Sequence, residues 1–226
     1  MKSIIITGCT SGLGKAFHDE AVKRTPLDTR CVFLGRNLDR LEQSTDHQYC
    51  ESNLLNEQQV DWEKLYSSKR PKSIILISNA GVIHPLGTIT SDKSETFRQS
   101  VRVNLTAPSE LTSSLVLWAR SHQIEITILN ISSGAASRAI AGWGAYCMSK
   151  AGFKMFLDVI DLENEHVEVV HFDPGVIDTN MQKSIRSSSV EDVPSVDSFR
   201  AFAEEGKLKS PEEVVAEIFK LCGLPL

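Results

Sequence analysis

Residues 3–14 read Ser3-Ile4-Ile5-Ile6-Thr7-Gly8-Cys9-Thr10-Ser11-Gly12-Leu13-Gly14. Three consecutive isoleucines suit a strand covered on both faces, because the run keeps no side for water. The glycines behind it allow a tight turn and a close approach of backbone to a ligand, and a helical pattern opens at Gly14. A strand that runs through a glycine turn into a helix is the first half of a βαβ unit. The N-terminus of that helix offers free N–H groups and the positive end of a dipole to an anion. The apolar run is too short for a secretion signal, so it is read as the first strand. Taken alone, glycines at 8, 12 and 14 also suit a turn that binds nothing, since they depart from the common dinucleotide spacing.

The alternation continues along the chain. Residues 31–34, 73–78, 124–131 and 167–172 read as further buried strands, with a weaker one at 48–51. Helical patterns cover 14–23, 56–67, 95–120, 143–161 and 211–221. The last has Ser210 as N-cap, Pro211 at its first position and Glu212 and Glu213 in its first turn, each favoured there. This rhythm predicts one α/β domain spanning 1–226, a doubly wound parallel sheet of the Rossmann type. With 226 residues, 41% of them hydrophobic, the chain is long enough to bury one substantial core and needs no second.

The formal net charge of -5 leaves no basic excess for nucleic acid. No apolar run approaches the roughly 20 residues of a membrane span. Five cysteines, an odd number without metal-ligand spacing, suit reduced thiols in a cytoplasmic protein, and the six histidines show no ligand spacing either. No metal site and no membrane partner are expected.

Ligands of such a sheet bind beyond the carboxyl ends of its strands. At the first of these ends lie Gly8, Thr10, Ser11, Gly12, Leu13 and Gly14, placed to cradle a diphosphate. The second strand ends at Gly35-Arg36-Asn37, with no acid before Asp39. An acid at that position grips ribose hydroxyls, whereas a guanidinium forks onto a 2′-phosphate, so Arg36 points to NADP(H). The alternative is an ordinary solvated arginine. Asn79-Ala80-Gly81 leaves room for a ribose and adenine. Tyr146 and Lys150, four apart, share a helix face, and Ser133 ends the strand before that helix. A phenol is a usable acid for the alkoxide that hydride addition to a carbonyl creates, an ammonium beside it favours the phenolate, and a hydroxyl can hold the reacting oxygen.

In this order and spacing, Thr7-Gly8-x-x-x-Gly12-x-Gly14, Asn79-Ala80-Gly81, Asn104, Ser133, Tyr146-x-x-x-Lys150 and Pro174-Gly175 resemble the short-chain dehydrogenase/reductase family over nearly the whole chain. The resemblance implies that Ser133 orients the substrate, Tyr146 is the acid/base, Lys150 contacts the nicotinamide ribose and Asn104 holds a water of the proton relay. Pro174, Gly175, Val176, Ile177 and Thr179 would line the nicotinamide pocket. Residues 130–136, 142–147 and 174–182 resemble the sepiapterin-reductase-like group, and within it the microbial benzil reductases. A small carbonyl substrate is implied, an aromatic α-diketone such as benzil first. A pteridine reductase, or a regulator that senses dinucleotide without turnover, are the alternatives. Two features depart from the family. Asn53-Leu54 stands where an Asp usually touches the adenine, although Asn53 keeps hydrogen-bonding capacity. A seventh strand, usual in relatives, is not expected after Cys222, which bears on oligomeric contacts; a homodimer is the assembly the resemblance allows. Trp143 and Met181, with Ile140 and Phe199, are candidates to line the substrate pocket, ordinary packing being the alternative for each. Residues 181–205 look too irregular for the core and are read as a lid over the substrate.

Overall fold

The computed structural model describes residues 1–56, 60–88 and 93–225. Six strands form one parallel sheet: β1 (Lys2–Thr7), β2 (Thr29–Gly35), β3 (Gln48–Glu51), β4 (Ser73–Ser78), β5 (Glu125–Ile131) and β6 (Val167–Phe172), in the order β3-β2-β1-β4-β5-β6. Ile5 faces Val32 on one side and Leu76 on the other, and Ile128 faces Val169. No seventh strand occurs among the described residues.

Alternate residues of each strand enter different cores. Ile4, Ile6, Phe33, Ile77 and Leu129 point to one face. It is covered by α1 (Gly12–Arg24) and α8 (Pro211–Leu221), whose Phe17 and Phe219 meet edge to face at 5.2 Å. Ile5, Leu34, Leu76 and Ile128 point to the other, against Leu115 and Phe153. Each such side chain contributes about 1.5–3 kcal/mol when fully buried, so both faces are needed to hold the sheet. The Ser210 cap of α8 is reciprocal: Ser210 accepts from the Glu213 N–H while the Glu213 carboxylate takes that of Ser210.

Three expectations change. The helix expected over 56–67 is a single turn, α2 (Trp62–Leu65), capped by Asp61, and residues 57–59 lie outside the described residues. The helix expected over 95–120 is interrupted: α3 (Ser94–Val101) widens at Arg102–Thr106 into a π turn before α4 (Ala107–Ser121). Pro108 has no N–H for the carbonyl of Asn104, four residues earlier, which removes one α-helical bond at that point. Finally, residues 181–205 are largely helical, with α6 (Asn180–Arg186) and α7 (Val196–Glu204) joined by a loop. Ile185, Val193 and Val196 are buried there, in a third apolar cluster that also includes Trp143 of the loop before α5 (Gly144–Glu163). No helix is long and apolar enough to cross a membrane among the described residues.

Strand order reverses between β1 and β4, and the crevice opens there. Thr7 spans it. Its buried Oγ1 accepts from the N–H groups of Asn79 and Ala80 at 3.0 Å, while the Asn79 carboxamide donates to the Thr7 carbonyl at 2.8 Å. Thr7→Val keeps the shape and leaves two partly buried donors without this acceptor, so urea unfolding should show a loss of about 1–2 kcal/mol. A loss below about 0.5 kcal/mol, the range of a neutral surface change, contradicts this clasp.

Candidate active site

One cleft of about 650 Å³ runs across the carboxyl ends of the strands. Its walls include every site residue expected from the sequence except Gly14 and Asn104, which stand directly behind lining residues. At one end the turn after β1 brings backbone against backbone. Gly8 has φ +72°, and a Cβ there would lie 2.9 Å from the Ala80 Cα. A Cβ on Gly14 would lie 2.2 Å from the Gly8 carbonyl oxygen, so only glycine fits. The helix α1 that follows has no side-chain cap from Ser11 and no acid in its first turn. Its first N–H groups are left for a ligand, and a diphosphate matches both their geometry and the dipole.

Arg36 follows β2, is exposed, lines the cleft and forms no ion pair among the described residues. The nearby Glu51 carboxylate is occupied with the Asn37 N–H at 3.1 Å. Asn53 uses its Oδ1 to accept from the Leu55 N–H at 3.2 Å, which shapes the turn beside Leu54. These groups could hold an adenosine.

In the middle of the cleft, α5 places Tyr146 and Lys150 on one face, 6% and 7% exposed. Lys150 donates to the Ile131 carbonyl at 2.8 Å and its Nζ stands 5.8 Å from the Tyr146 ring centre. Ser133 opens the short turn after β5, where its Oγ accepts from the Ala135 N–H at 3.2 Å. Burial pushes the Tyr146 phenol up to about 12; the Ser133 hydroxyl opposes this and the Asp173 carboxylate adds to it. Burial likewise pushes Lys150 down to about 8, against the pull of Asp173. The phenol is therefore not held below its ordinary value as expected beside Lys150: burial is the largest influence on it, and the ammonium is turned to the Ile131 carbonyl.

Asn104, 2% exposed in the π turn, donates to the Val82 carbonyl at 2.7 Å and accepts the Val82 N–H at 2.8 Å. Its side chain therefore fixes the segment after Gly81.

The far end is apolar. Trp143 stacks on Phe199, with ring centres 5.3 Å apart, and stands edge-on to Tyr146 at 5.8 Å. Ile140 and Met181 pack against the same cluster. Cys9 and Cys147 are free thiols. Sequence reasoning missed Asp173 and Gln182. Asp173 could have been found as the acid that directly precedes Pro174-Gly175, and Gln182 as a polar residue between Met181 and Ile185 on the inner side of α6.

Lys150 supplies a stability test. Its folded-state value, about 8, lies below its ordinary 10.5. The folded protein therefore sheds this proton before the unfolded chain does, and stability rises between those two pH values. Lys150→Met should stabilise the free protein at pH 7 by on the order of 2 kcal/mol, allowing for the lost bond to Ile131, and the advantage should fade as pH approaches 10.5. Denaturation midpoints across pH check it, and a destabilised Met variant at pH 7 contradicts the burial argument.

The model of the short chain dehydrogenase family matches residues 2–189. A benzil reductase, (S)-benzoin forming, of Bacillus cereus is 37% identical over 98% of this chain and 94% of its own length. A sepiapterin reductase of Rattus norvegicus is 32% identical over 54% of this chain and 48% of its own. The crystal structure of the KRED1-Pglu enzyme superposes with a TM-score of 0.83 at 24% identity, covering 98% of this chain and 94% of that one, which shows a shared fold. The chain belongs to the short-chain dehydrogenase family of oxidoreductases and is similar to benzil reductases.

Proposed function

We propose that the protein is an NADPH-dependent reductase of aromatic α-diketones, taking benzil to an α-hydroxyketone. One observation carries this reading. A single cleft joins an arginine without an ion pair among the described residues and a glycine cradle at one end to an apolar wall at the other, with Ser133, Tyr146 and Lys150 between them. The 37% identity to a benzil reductase supports it.

The residues divide the work along the cleft. Gly8, Thr10, Ser11, Gly12 and Leu13 meet the diphosphate, Arg36 the 2′-phosphate, Asn53, Leu54, Asn79, Ala80 and Gly81 the adenosine. Pro174, Gly175, Val176, Ile177 and Thr179, with Lys150, hold the nicotinamide end. When bound, NADPH supplies the hydride. Ser133 and Tyr146 hold the carbonyl oxygen by hydrogen bonds that strengthen as charge develops on it. Tyr146, pushed up to about 12, keeps its proton at neutral pH and gives it to the alkoxide. Lys150, charged below about 8, stabilises the phenolate left behind. The main-chain carbonyl of Asn104, without an N–H from Pro108, holds the water that restores the proton. Trp143 and Met181 contact the aromatic rings, and residues 181–205 close over them.

Two measurements test the reading. Arg36→Ala should weaken NADPH about tenfold or more and leave NADH nearly unchanged, because a charge-assisted contact is worth about 1.5–3 kcal/mol. Equal weakening of both cofactors sinks the phosphate role. The second is a panel of benzil, sepiapterin and a simple monoketone with NADPH, using Tyr146→Phe as the control without an acid. Benzil should show the highest kcat/KM and stop at the hydroxyketone, since reduction of one carbonyl removes the activation of its neighbour. The Phe variant should bind NADPH and lose turnover. Higher efficiency on sepiapterin overturns the substrate in favour of a pteridine.

A further inference from the structure

The charges that line the cleft run against those of the chain. The chain carries a formal net charge of -5, yet the charged residues among the described lining are three cations, Arg36, Arg138 and Lys150, and one acid, Asp173. Lys150 donates to the Ile131 carbonyl, and the Asp173 carboxylate accepts the Gly175 N–H at 3.0 Å. Arg36, after β2, is the cation assigned to the phosphate of the cofactor. Arg138 has no such task, and it stands on the Ser133 side of the cleft. The turn Gly134–Ala136 directly follows Ser133, and the Arg138 N–H donates to the Gly134 carbonyl at 3.1 Å, which brings residue 138 back over residue 134. The guanidinium folds onto the same glycine: a Cβ at Gly134 would lie 3.2–3.4 Å from its Nε, Nη2 and Cζ. Gly134 and Arg138 both line the cleft, and the arginine is exposed, so solvent and ligands reach it. Its side chain forms no hydrogen bond and no ion pair among the described residues. An arginine serving only solubility points to water; this one lies back beside the hydroxyl that holds the reacting oxygen.

We infer that Arg138 forms an anion subsite at the substrate end of the cleft, and that the protein also reduces aromatic 2-oxo acids to 2-hydroxy acids. A guanidinium presents a planar fork of N–H donors and no acceptor, which matches the two oxygens of a carboxylate. Ser133 and Gly134 are neighbours in the chain, so an oxygen held at Ser133 and an anion held over Gly134 suit two groups that are close together in the substrate. In an aromatic 2-oxo acid the carboxylate is bonded directly to the reacting carbonyl carbon. The aryl ring then meets the apolar wall of Trp143, Phe199 and Met181. The ketone carbon gains the hydride that the cofactor supplies, its oxygen takes the Tyr146 proton, and the carboxylate leaves unchanged. The subsite rests on the carbonyl-reductase reading above. It widens the substrate class from neutral diketones to acids in which a carboxylate replaces one aroyl group.

Benzoylformate and its methyl ester test it, because they share the reacting ketone and the phenyl ring and differ by one charge. With NADPH saturating, the parent should reduce benzoylformate to mandelate. Arg138→Gln should lower the ratio of kcat/KM for the acid to that for the ester about tenfold, the scale of one charge-assisted contact, and most of the loss should lie in KM. Arg138→Lys should fall between the two, since it keeps the charge and loses the fork. Arg138→Glu should lower the ratio further than the glutamine variant, because it sets like charges together. The side chain is exposed and makes no bond to lose, so each variant should keep its thermal midpoint within about 2 °C. An unchanged ratio in the glutamine and glutamate variants overturns the subsite and leaves the reductase reading intact. So does a parent that reduces benzil and makes no mandelate. A parent that makes mandelate, with the ratio governed by Arg138, but leaves benzil untouched supports the subsite and overturns the diketone reading. Activity on none of the three compounds overturns both.

Discussion

A parallel sheet has no face to give to water, and this constraint shapes the whole molecule. Each strand must send alternate side chains into two separate cores, as Ile4 and Ile6 do against Ile5. Helices must then cover both sides, and the chain must cross over after every strand. The crossovers leave to left and right of β1, so the strand ends part between β1 and β4. The cleft is a consequence of that parting. The Thr7 and Asn79 bonds close the floor of the crevice, and the glycine turn brings the start of α1 over it.

Chemistry is then set by burial. The same desolvation that pushes Tyr146 up to about 12 pushes Lys150 down to about 8, so the two groups are moved in opposite directions by one environment. A phenol that retains its proton is suited to acting as an acid. Asp173 acts on both groups and is the acid whose charge they feel most. Trp143, Phe199 and Met181 give the far end an apolar wall.

Much of this was legible in the amino-acid sequence, for reasons that can be named. Strands β1, β4 and β6 announce themselves as short β-branched runs. Tyr146 and Lys150 are local partners, four apart on one helix, and the glycines at 8 and 14 are dictated by contacts within one turn and its neighbour strand. What escaped depends on distant partners. The π turn at Arg102–Thr106 carries Asn104 against Val82, 22 residues earlier. The order within 181–205 comes from a cluster shared with Trp143 and Ile83 rather than from any period of its own. Gln182 reads as a surface residue in one dimension and is buried in three. The upward push on Tyr146 and the downward push on Lys150 escaped because burial is not visible in a spacing.

The central claim is that the cleft aligns a nicotinamide with a ketone held at Ser133 and Tyr146. Its most direct test is isotopic: the protein is given benzil and NADPH carrying deuterium at both positions of nicotinamide C4, and the product is analysed by mass spectrometry and proton NMR. The account predicts a benzoin with one deuterium on its carbinol carbon and none elsewhere. A hydroxyketone without deuterium at that carbon, or oxidation of the cofactor without any hydroxyketone, contradicts it.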